Sequence, residues 1–258
     1  MKRVVIVIAA MLFAGTVCFS QTADFYGVVS MGGSLPVGNF GKATVKDDEP
    51  QKWGLADESQ YGGAGIGANV GIMGAKRISG IEELSVFLSA EFFFNPLNKA
   101  LRDYKEQYEV ANINSHDKYE QRFPVYFNIP VLAGCRYDIY TRNRDISIFA
   151  ELGVGANMRI ITDHYEYWNM YKHNSEAHSY TEDYRTKFSF AAAAGAGAVF
   201  LGHIQVGIFY HYLGTARVIS DAEVIYNNPM GYEETAAPAF SRGVLSPHML
   251  SIKVGYLF

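Results

Sequence analysis

Apolar residues alternate with small or polar residues along several segments of this chain, most clearly in residues 250–258. Every second residue of this run is apolar, and the positions between them hold serine, lysine, glycine and leucine. A period of two is typical of a β-strand whose two faces meet different surroundings. The run ends with Tyr256 and Phe258, and closing strands of transmembrane β-barrels often carry such interfacial aromatic residues. We therefore interpret Tyr256 and Phe258 as a C-terminal barrel signal.

The same alternation predicts eight strands, joined in turn by long and short connections. The connections after the second, fourth and sixth strands are short, whereas those after the first, third, fifth and seventh are long and polar. Short periplasmic turns that alternate with long external loops are typical of outer-membrane barrels. The predicted strands are 25–32, 63–73, 83–94, 125–137, 146–160, 188–200, 204–212 and 250–258. The long connections are 33–61, 95–123, 162–187 and 214–245.

The two faces of these strands indicate which solvent surrounds them. One face is rich in Leu, Ile and Val, and the other holds mostly Gly, Ser and Asn with a few charges. A soluble barrel would carry its charges outside, so an apolar exterior over a small, polar interior favours a bilayer. The predicted fold class is all-β: an eight-stranded antiparallel up-and-down transmembrane β-barrel with short periplasmic turns and long extracellular loops. A secreted or periplasmic β-sandwich is the alternative.

One proline in the predicted fourth strand needs a separate explanation. Proline removes a donor from the hydrogen-bond ladder and is normally confined to edge strands and bulges. A closed barrel has no edge, so Pro130 predicts a local bulge.

The N-terminal residues predict export. Lys2 and Arg3 precede an apolar core, and Cys18 and Ser20 stand at the small-residue positions before a cleavage site. We expect a signal peptide over residues 1–20 and one outer-membrane barrel domain over residues 21–258. An uncleaved membrane anchor and a lipoprotein attached through Cys18 are the alternatives.

Composition narrows the class of partner. The formal net charge is −4, so the chain lacks the basic excess of a nucleic-acid-binding protein. Cys135 is the single cysteine outside the predicted signal peptide, which excludes an intramolecular disulfide in the mature protein. The expected partners are the outer-membrane lipid bilayer and the barrel assembly machinery.

Three short motifs resemble those of the PorT-like outer-membrane β-barrel family of Bacteroidetes. They are GSLPVGNF at residues 33–40, FNIPVLAG at residues 127–134 and VGYLF at residues 254–258. The resemblance covers essentially the whole mature chain. It implies an eight-stranded barrel whose two termini lie in the periplasm, and it implies no particular activity.

Charged and polar residues occur on the face that the alternation turns toward the barrel lumen. An eight-stranded barrel is just wide enough for side chains to fill it, and buried charges are costly unless they are paired. We expect Glu91 and Glu151 to pair with Lys253 or Arg159, in a lumen charge network that also includes Arg136. The network predicts a structural polar plug, and a narrow gated pore for ions or small solutes is the alternative. All the residues predicted to point inward are Glu83, Glu91, Arg136, Glu151, Arg159, Gln205, His211 and Lys253.

The third long connection is rich in aromatic residues that suit recognition. Tyr165, Tyr167, Trp168 and Tyr171 are candidates to stack on a glycan or to contact a surface protein. Histidines and carboxylates of the same connection match no known metal-binding spacing. We therefore predict neither a metal site nor a cofactor.

An enzymatic interpretation needs a nucleophile, a base and an orienting group close together. His211 with Ser189 or Ser251 and His248 beside Ser246 are the pairs that the sequence offers. No nucleophile elbow or other catalytic signature surrounds these serines. We therefore expect a non-enzymatic barrel with a filled lumen, whose surface loops serve structural or recognition roles.

Overall fold

The computed structural model describes residues 24–42, 62–99, 102–103, 118–141, 146–170, 176–227, 233–236 and 239–258. The predicted signal peptide lies outside the described residues. The described part of the chain consists mainly of β-strands, and it holds no helix that is long and apolar enough to cross a membrane. In chain order the strands are β1 (Phe25–Val37), β2 (Gly67–Ile78), β3 (Ile81–Pro96), β4 (Lys118–Arg122), β5 (Val125–Tyr140), β6 (Ile146–Ile161), β7 (His164–Met170), β8 (Glu176–Tyr184), β9 (Lys187–Phe200), β10 (Ile204–Tyr212), β11 (Ala216–Asn227), β12 (Glu233–Ala236), β13 (Ala239–Leu245) and β14 (His248–Leu257).

Eight of these strands close into an antiparallel barrel. The order around the barrel is β1, β14, β10, β9, β6, β5, β3 and β2, and β2 pairs with β1 to complete the ring. These are the eight predicted strands, so the prediction of a closed eight-stranded barrel is confirmed and the sandwich alternative is wrong. Several strands are longer than predicted, and β1 reaches Val37 instead of ending near residue 32. The short turns and both ends of the described chain lie at one end of the barrel, which we call the short-turn end.

Side chains alternate strictly between the two faces of the barrel wall. Leu88, Leu152 and Ile252 on the outer face are 59–67% exposed, whereas Arg136 and Ser251 on the inner face are 1% exposed. Apolar residues outside and polar residues inside reverse the arrangement of a soluble protein. A closed sheet of this kind satisfies its backbone groups internally, as hydrocarbon requires. The barrel is therefore a transmembrane β-barrel.

Aromatic rings fill the lumen over inward-facing glycines. A Cβ atom at Gly195 would lie 2.1 Å from the ring of Phe209, and one at Gly197 would lie 2.7 Å from the ring of Phe149. The Phe149 and Phe209 rings lie 6.1 Å apart between their centroids. The glycines therefore provide the space that lets large rings lie across a narrow barrel.

The long connections are not the irregular loops that the sequence predicts. They contain β4, β7, β8, β11, β12 and β13, which form a second antiparallel sheet that we call the outer sheet. Its strands carry few consecutive alternations of apolar and polar residues. The hydrophobic period that identified the barrel strands is therefore weak in these segments. The end of the barrel next to the outer sheet is the long-connection end.

The bulge predicted at Pro130 is absent. Ala90 pairs with Val131 and Phe93 pairs with Asn128, so the register between β3 and β5 is the same on both sides of the proline. On the other side Pro130 pairs with Asn157 without any shift. Between these two pairs, Glu91 and Phe92 of β3 have no paired residue on β5. The barrel accommodates the lost donor by an interruption of pairing rather than by an inserted residue.

The packing of rings on glycines predicts that the wall is sensitive at inward positions only. Gly195→Val should lower the free energy of unfolding by about 1–3 kcal/mol, because the new side chain meets the Phe209 ring. Ala196→Val is the matched control, since Ala196 faces outward on the same strand. Urea unfolding of both variants in lipid vesicles measures the difference. Equal stabilities of the two variants would contradict this packing.

Candidate functional site

The middle of the lumen holds a buried ion pair. Lys253 Nζ donates to Glu91 Oε1 over 2.8 Å, and the same ammonium lies 3.7 Å from the centroid of the Phe209 ring. His211 Nε2 lies 3.9 Å from Glu91 Oε2. Glu91, His211 and Lys253 come from β3, β10 and β14, so the cluster spans the lumen. The structure thus brings together Glu91 and Lys253, as the inward parity of their strands predicts.

A second cluster surrounds Arg136 toward the short-turn end. Its Nε donates to both carboxylate oxygens of Asp138 over 3.0 and 3.2 Å, and its Nη1 donates to Gln205 Oε1 over 2.6 Å. Glu151 Oε2 lies 3.9 Å from Arg136 Nη1, and the guanidinium lies 4.0 Å from the centroid of the Phe149 ring. Among the described residues Arg136 is therefore the cation within 4.0 Å of the Glu151 carboxylate, and the charge of the expected partner Lys253 also acts on it. Asp138 shares the parity of Arg136 on β5 and so faces the lumen, although it is not among the residues predicted to point inward.

Arg159 does not join the charge network in the described part of the chain, so that expectation is wrong. Its Nη1 donates to the carbonyl of Leu245 over 3.3 Å and its Nη2 to the carbonyl of Gly214 over 3.1 Å. Both carbonyls belong to the long connection between β10 and β14. Arg159 therefore fixes this connection across the barrel mouth, a role that no residue pattern in the sequence indicates. The other predicted inward residue, Glu83, is half-buried near the short-turn end.

Apolar residues close the lumen at the long-connection end. Parts of the long connections fold inward and pack on residues from the barrel wall, and every member of the cluster is at most 5% exposed. Amides line the same region, and Asn157 donates to Asn128 Oδ1 over 3.0 Å and to the carbonyl of Leu213 over 3.1 Å. The apolar cluster is Phe40, Ala64, Phe93, Tyr126, Leu132, Ile161, Ala191, Leu213, Val218, Leu245 and Met249.

The buried histidine of the lumen lacks the geometry of a catalytic base. His211 Nε2 lies 3.2 Å from Ser251 Oγ and also faces Glu91, while Nδ1 has no hydrogen-bond partner among the described residues. A catalytic triad needs an orienting group on one ring nitrogen and the nucleophile on the other. Ser189, the other candidate nucleophile, donates to the carbonyl of Leu213. Among the described residues, the lumen therefore offers no triad.

The recognition candidates fall on the outer sheet. Tyr165 and Tyr167 lie half-buried on β7, and the Arg122 guanidinium lies 5.6 Å from the centroid of the Tyr165 ring. Trp168 pairs through its backbone with Tyr119 of β4. Tyr171 lies outside the described residues. The structure thus places three of the four candidates on one strand instead of in a flexible loop.

An ion pair ties two strands of the outer sheet together. Arg185, just after β8, donates two hydrogen bonds of 3.0 Å to the carboxylate of Asp221 on β11. These hydrogen bonds lower the pKa of Asp221 and raise the pKa of Arg185. A depressed carboxyl pKa stabilises the sheet above the unfolded pKa, and the effect disappears as the pH falls through the folded value. Both groups are exposed, so the contribution is small.

A hydrogen-bonded polar chain lies on the outer face of the barrel at the long-connection end. Ser246 Oγ lies 3.3 Å from His248 Nε2, and His248 Nδ1 lies 2.5 Å from the hydroxyl of Tyr210. Thr215 Oγ1 donates to Ser246 Oγ over 3.0 Å. The sequence shows Ser246 beside His248, but the contribution of Tyr210 depends on strand pairing and cannot be read from spacing. The described residues hold no group of three or more His, Cys, Asp or Glu side chains that could bind a metal ion.

No protein-family model matches the sequence, and no curated protein is similar to it. Solved structures that resemble this chain in shape include two named as outer membrane proteins and one named as a surface protein. A major outer membrane protein from Thermus thermophilus is 10% identical, with a TM-score of 0.41 over 92% of this chain and 100% of that chain. Neisserial surface protein A is 10% identical, with a TM-score of 0.41 over 90% and 95% of the two chains. OprG from Pseudomonas aeruginosa is 12% identical, with a TM-score of 0.41 over 92% and 97% of the two chains.

At these identities the likeness concerns the fold alone. The strand pairing and the apolar exterior of this chain carry its assignment as a transmembrane barrel. The resemblance to the PorT-like family stays a prediction.

The buried pair in the lumen predicts an asymmetric response to substitution. Lys253→Met leaves the Glu91 carboxylate without its cation and should lower the free energy of unfolding by about 3–5 kcal/mol. The double variant Glu91→Gln with Lys253→Met should recover part of this loss. Lys76→Met is the control, because Lys76 is exposed and should change stability by less than about 0.5 kcal/mol. Urea unfolding in vesicles that shows no difference between the two lysine variants would contradict a buried pair.

Proposed function

We propose that this protein is a non-conducting outer-membrane barrel that holds a recognition sheet above the membrane. The observation that carries the proposal is the combination of a lumen filled with side chains and an outer sheet that continues from the barrel strands. A barrel that transports solutes needs an open path, whereas a barrel that presents a surface needs only a rigid base. The arrangement of this chain suits the second role.

The outer membrane is the compartment that suits this barrel. Closed β-barrels with an apolar outer band and alternating connection lengths are typical of that membrane. Export through a signal peptide over residues 1–20 and insertion by the barrel assembly machinery belong to the proposal, with Tyr256 and Phe258 as the C-terminal signal. The short-turn end, with both chain termini, then faces the periplasm, and the outer sheet faces the cell exterior. Membership of the PorT-like family is part of the same proposal.

The interior supports a closed lumen. The space between Glu91, Glu151 and His211 has a volume of about 10 Å³, which is room for about one water molecule. Apolar residues close the lumen above it, and the Arg136 cluster occupies it below. Ions would have to displace paired charges and several aromatic rings in order to pass. This arrangement opposes the alternative of a gated pore.

The outer sheet supports a recognition role. The β7–β8 hairpin continues the β6–β9 pair, because only Thr162 and Asp163 separate β6 from β7. Tyr165, Tyr167 and Trp168 lie on the first strand of this hairpin, and aromatic side chains are favoured at protein interfaces and as stacking surfaces. A surface protein or a glycan is therefore the proposed ligand, and the proposed binding role requires neither a cofactor nor catalysis.

The closed lumen predicts electrical silence. The refolded protein should show no single-channel currents in planar bilayers between about −150 and +150 mV, because moving a charge through an unhydrated lumen is costly. Glu151→Gln removes one carboxylate of the lumen while keeping its shape, and it should also be silent. Resolved conductance steps that disappear in Glu151→Gln would contradict the filled-lumen proposal.

The recognition role is tested by removing the hairpin. β6 and β9 pair directly from Ile146 to Arg159, so a two-residue turn that replaces residues 164–184 should leave the barrel folded. Binding of the refolded protein to a glycan array and crosslinking of surface proteins on intact cells are the two measurements. Both signals should fall to background in the hairpin variant and persist in Glu151→Gln. Identical profiles of the hairpin variant and the intact protein would contradict the proposal.

A further inference from the structure

The polar chain around His248 lies on the lipid-facing side of the barrel. His248 pairs with Tyr212 of β10 on one side and with Val37 of β1 on the other. On β14 the residues two and four positions further, Leu250 and Ile252, point outward and are 37% and 59% exposed. His248 shares their parity, so it points away from the lumen.

The hydrogen-bonded group around His248 lies at the level of the membrane edge. A strand advances about 3.3 Å per residue, so His248 lies about 7 Å along the tilted strand beyond the outward-facing Leu250. The exposed apolar band of β10 ends similarly, where Ile208 is followed by Tyr210 and Tyr212. Tyrosine is typical of the boundary between hydrocarbon and headgroups. A lipid beside the barrel therefore presents its headgroup linkages at the level of the hydrogen-bonded group around His248, with its acyl tails along the apolar band.

Both ring nitrogens of His248 have polar partners, in the order that base catalysis requires. Tyr210 contacts Nδ1 and Ser246 contacts Nε2. In one tautomer Nδ1–H donates to the Tyr210 oxygen, and Nε2 accepts the proton of the Ser246 hydroxyl. Thr215 donates to the Ser246 oxygen, so this oxygen can give its own proton to His248. His211 in the lumen, by contrast, uses one nitrogen for both of its neighbours.

The backbone holds the serine firmly in place. The N–H of Leu213 donates to the carbonyl of Pro247 over 2.9 Å. Pro247 stands between Ser246 and His248, and the neighbouring Leu245 and Met249 are fully buried. Anchored residues on both sides thus fix the distance between the hydroxyl and the imidazole.

A shallow cavity of about 260 Å³ lies next to the serine and the histidine. Its other walls are Tyr210, Val37 at the end of β1, and Gly38 and Asn39 in the single 3-10 turn, Gly38–Phe40, that follows it. Gly38 in this turn has a φ of +62°, a left-handed conformation that glycine adopts without strain. Asn39 is exposed and lines the cavity, and its carboxamide group can donate to a negatively charged oxygen there.

We propose that Ser246, His248 and Tyr210 form a serine hydrolase site that cleaves acyl esters of membrane lipids. Ser246 Oγ attacks the ester carbonyl carbon, and its proton passes to His248 Nε2. The bond between the carbonyl carbon and the alcohol oxygen breaks, and the alcohol leaves with that proton while the acyl group stays on Ser246. Water then gives a proton to His248 and its hydroxyl to the acyl carbon. The fatty acid leaves, and Ser246 Oγ regains its proton from His248.

Each residue has a distinct part in this reaction. Ser246 is the nucleophile and His248 the general base and acid, whereas Tyr210 acts through His248 and is a positioning residue. The substrate class follows from the location of the site, because an ester at the headgroup boundary reaches it while its acyl chain stays in hydrocarbon. The activity goes beyond the proposed recognition role and revises the sequence-based expectation of a non-enzymatic protein.

Labelling by an alkyl fluorophosphonate tests the nucleophile directly. The probe is added to the refolded full-length protein in detergent micelles, and the labelled residue is identified by peptide mass spectrometry. Ser246 should be labelled in the intact protein, and the label should be absent from Ser246→Ala. Absence of label in the folded intact protein, or equal labelling of Ser246→Ala, would overturn the proposal. Heat-modifiable mobility on gels checks folding for every variant.

Hydrolysis of p-nitrophenyl palmitate and p-nitrophenyl acetate tests the reaction and its lipid preference. The palmitate ester should be cleaved faster, and His248→Ala should lower its rate by about 10²–10⁴-fold. Tyr210→Phe should lower kcat more than it changes KM, because it affects the orientation of the imidazole and not the binding of the acyl chain.

His203→Ala is the matched control, since His203 lies at the opposite end of the barrel and stacks on Tyr256 with centroids 5.6 Å apart. It should retain the full rate. Equal rates for His203→Ala and His248→Ala would overturn the site. Silent bilayers together with an absence of hydrolysis would reject this inference while leaving the recognition role intact.

Discussion

Closure of the sheet is the constraint on which the rest of this structure depends. Hydrocarbon offers no partner for a free backbone N–H or C=O, so every strand in it must be paired on both sides. The pairing of β1 with β14 meets this demand, and it runs from Val28 opposite Leu257 to Val37 opposite His248. Once the ring is closed, the alternation of side chains divides the protein into an apolar outside and a small interior. The polar lumen, the interfacial tyrosines and the outward-facing histidine all follow from that division.

The small diameter of an eight-stranded ring then determines what the interior contains. Side chains of this ring reach one another across the lumen, so charged residues can be paired there without any loop. The ion pair of Glu91 with Lys253 and the cluster around Arg136 use this proximity. Phenylalanine rings occupy the remaining space where glycine lies opposite them. The lumen is consequently a packed core made partly of ion pairs, and it stabilises the wall that surrounds it.

The barrel could be predicted from sequence because its strands face two very different media. That contrast gives a period of two in each strand, which is visible without any knowledge of the partner strands. The period correctly predicts that Glu91, His211 and Lys253 point inward. The strands of the outer sheet show no comparable period, so the sequence predicts loops in their place. Pairing partners depend on register, which single-strand patterns do not contain. For this reason the sequence does not show that Arg136 lies beside Glu151 or that Arg159 binds carbonyls of a connection.

The direct continuation of β6 and β9 into the β7–β8 hairpin has a consequence for how this protein can diversify. The membrane-embedded ladder between β6 and β9 is complete before the hairpin begins, so substitutions in the hairpin leave the ladder hydrogen bonds unchanged. Substitutions can therefore accumulate in the hairpin, while the embedded part stays under the demands of the bilayer. Related strains should differ most in the hairpin and least in the wall.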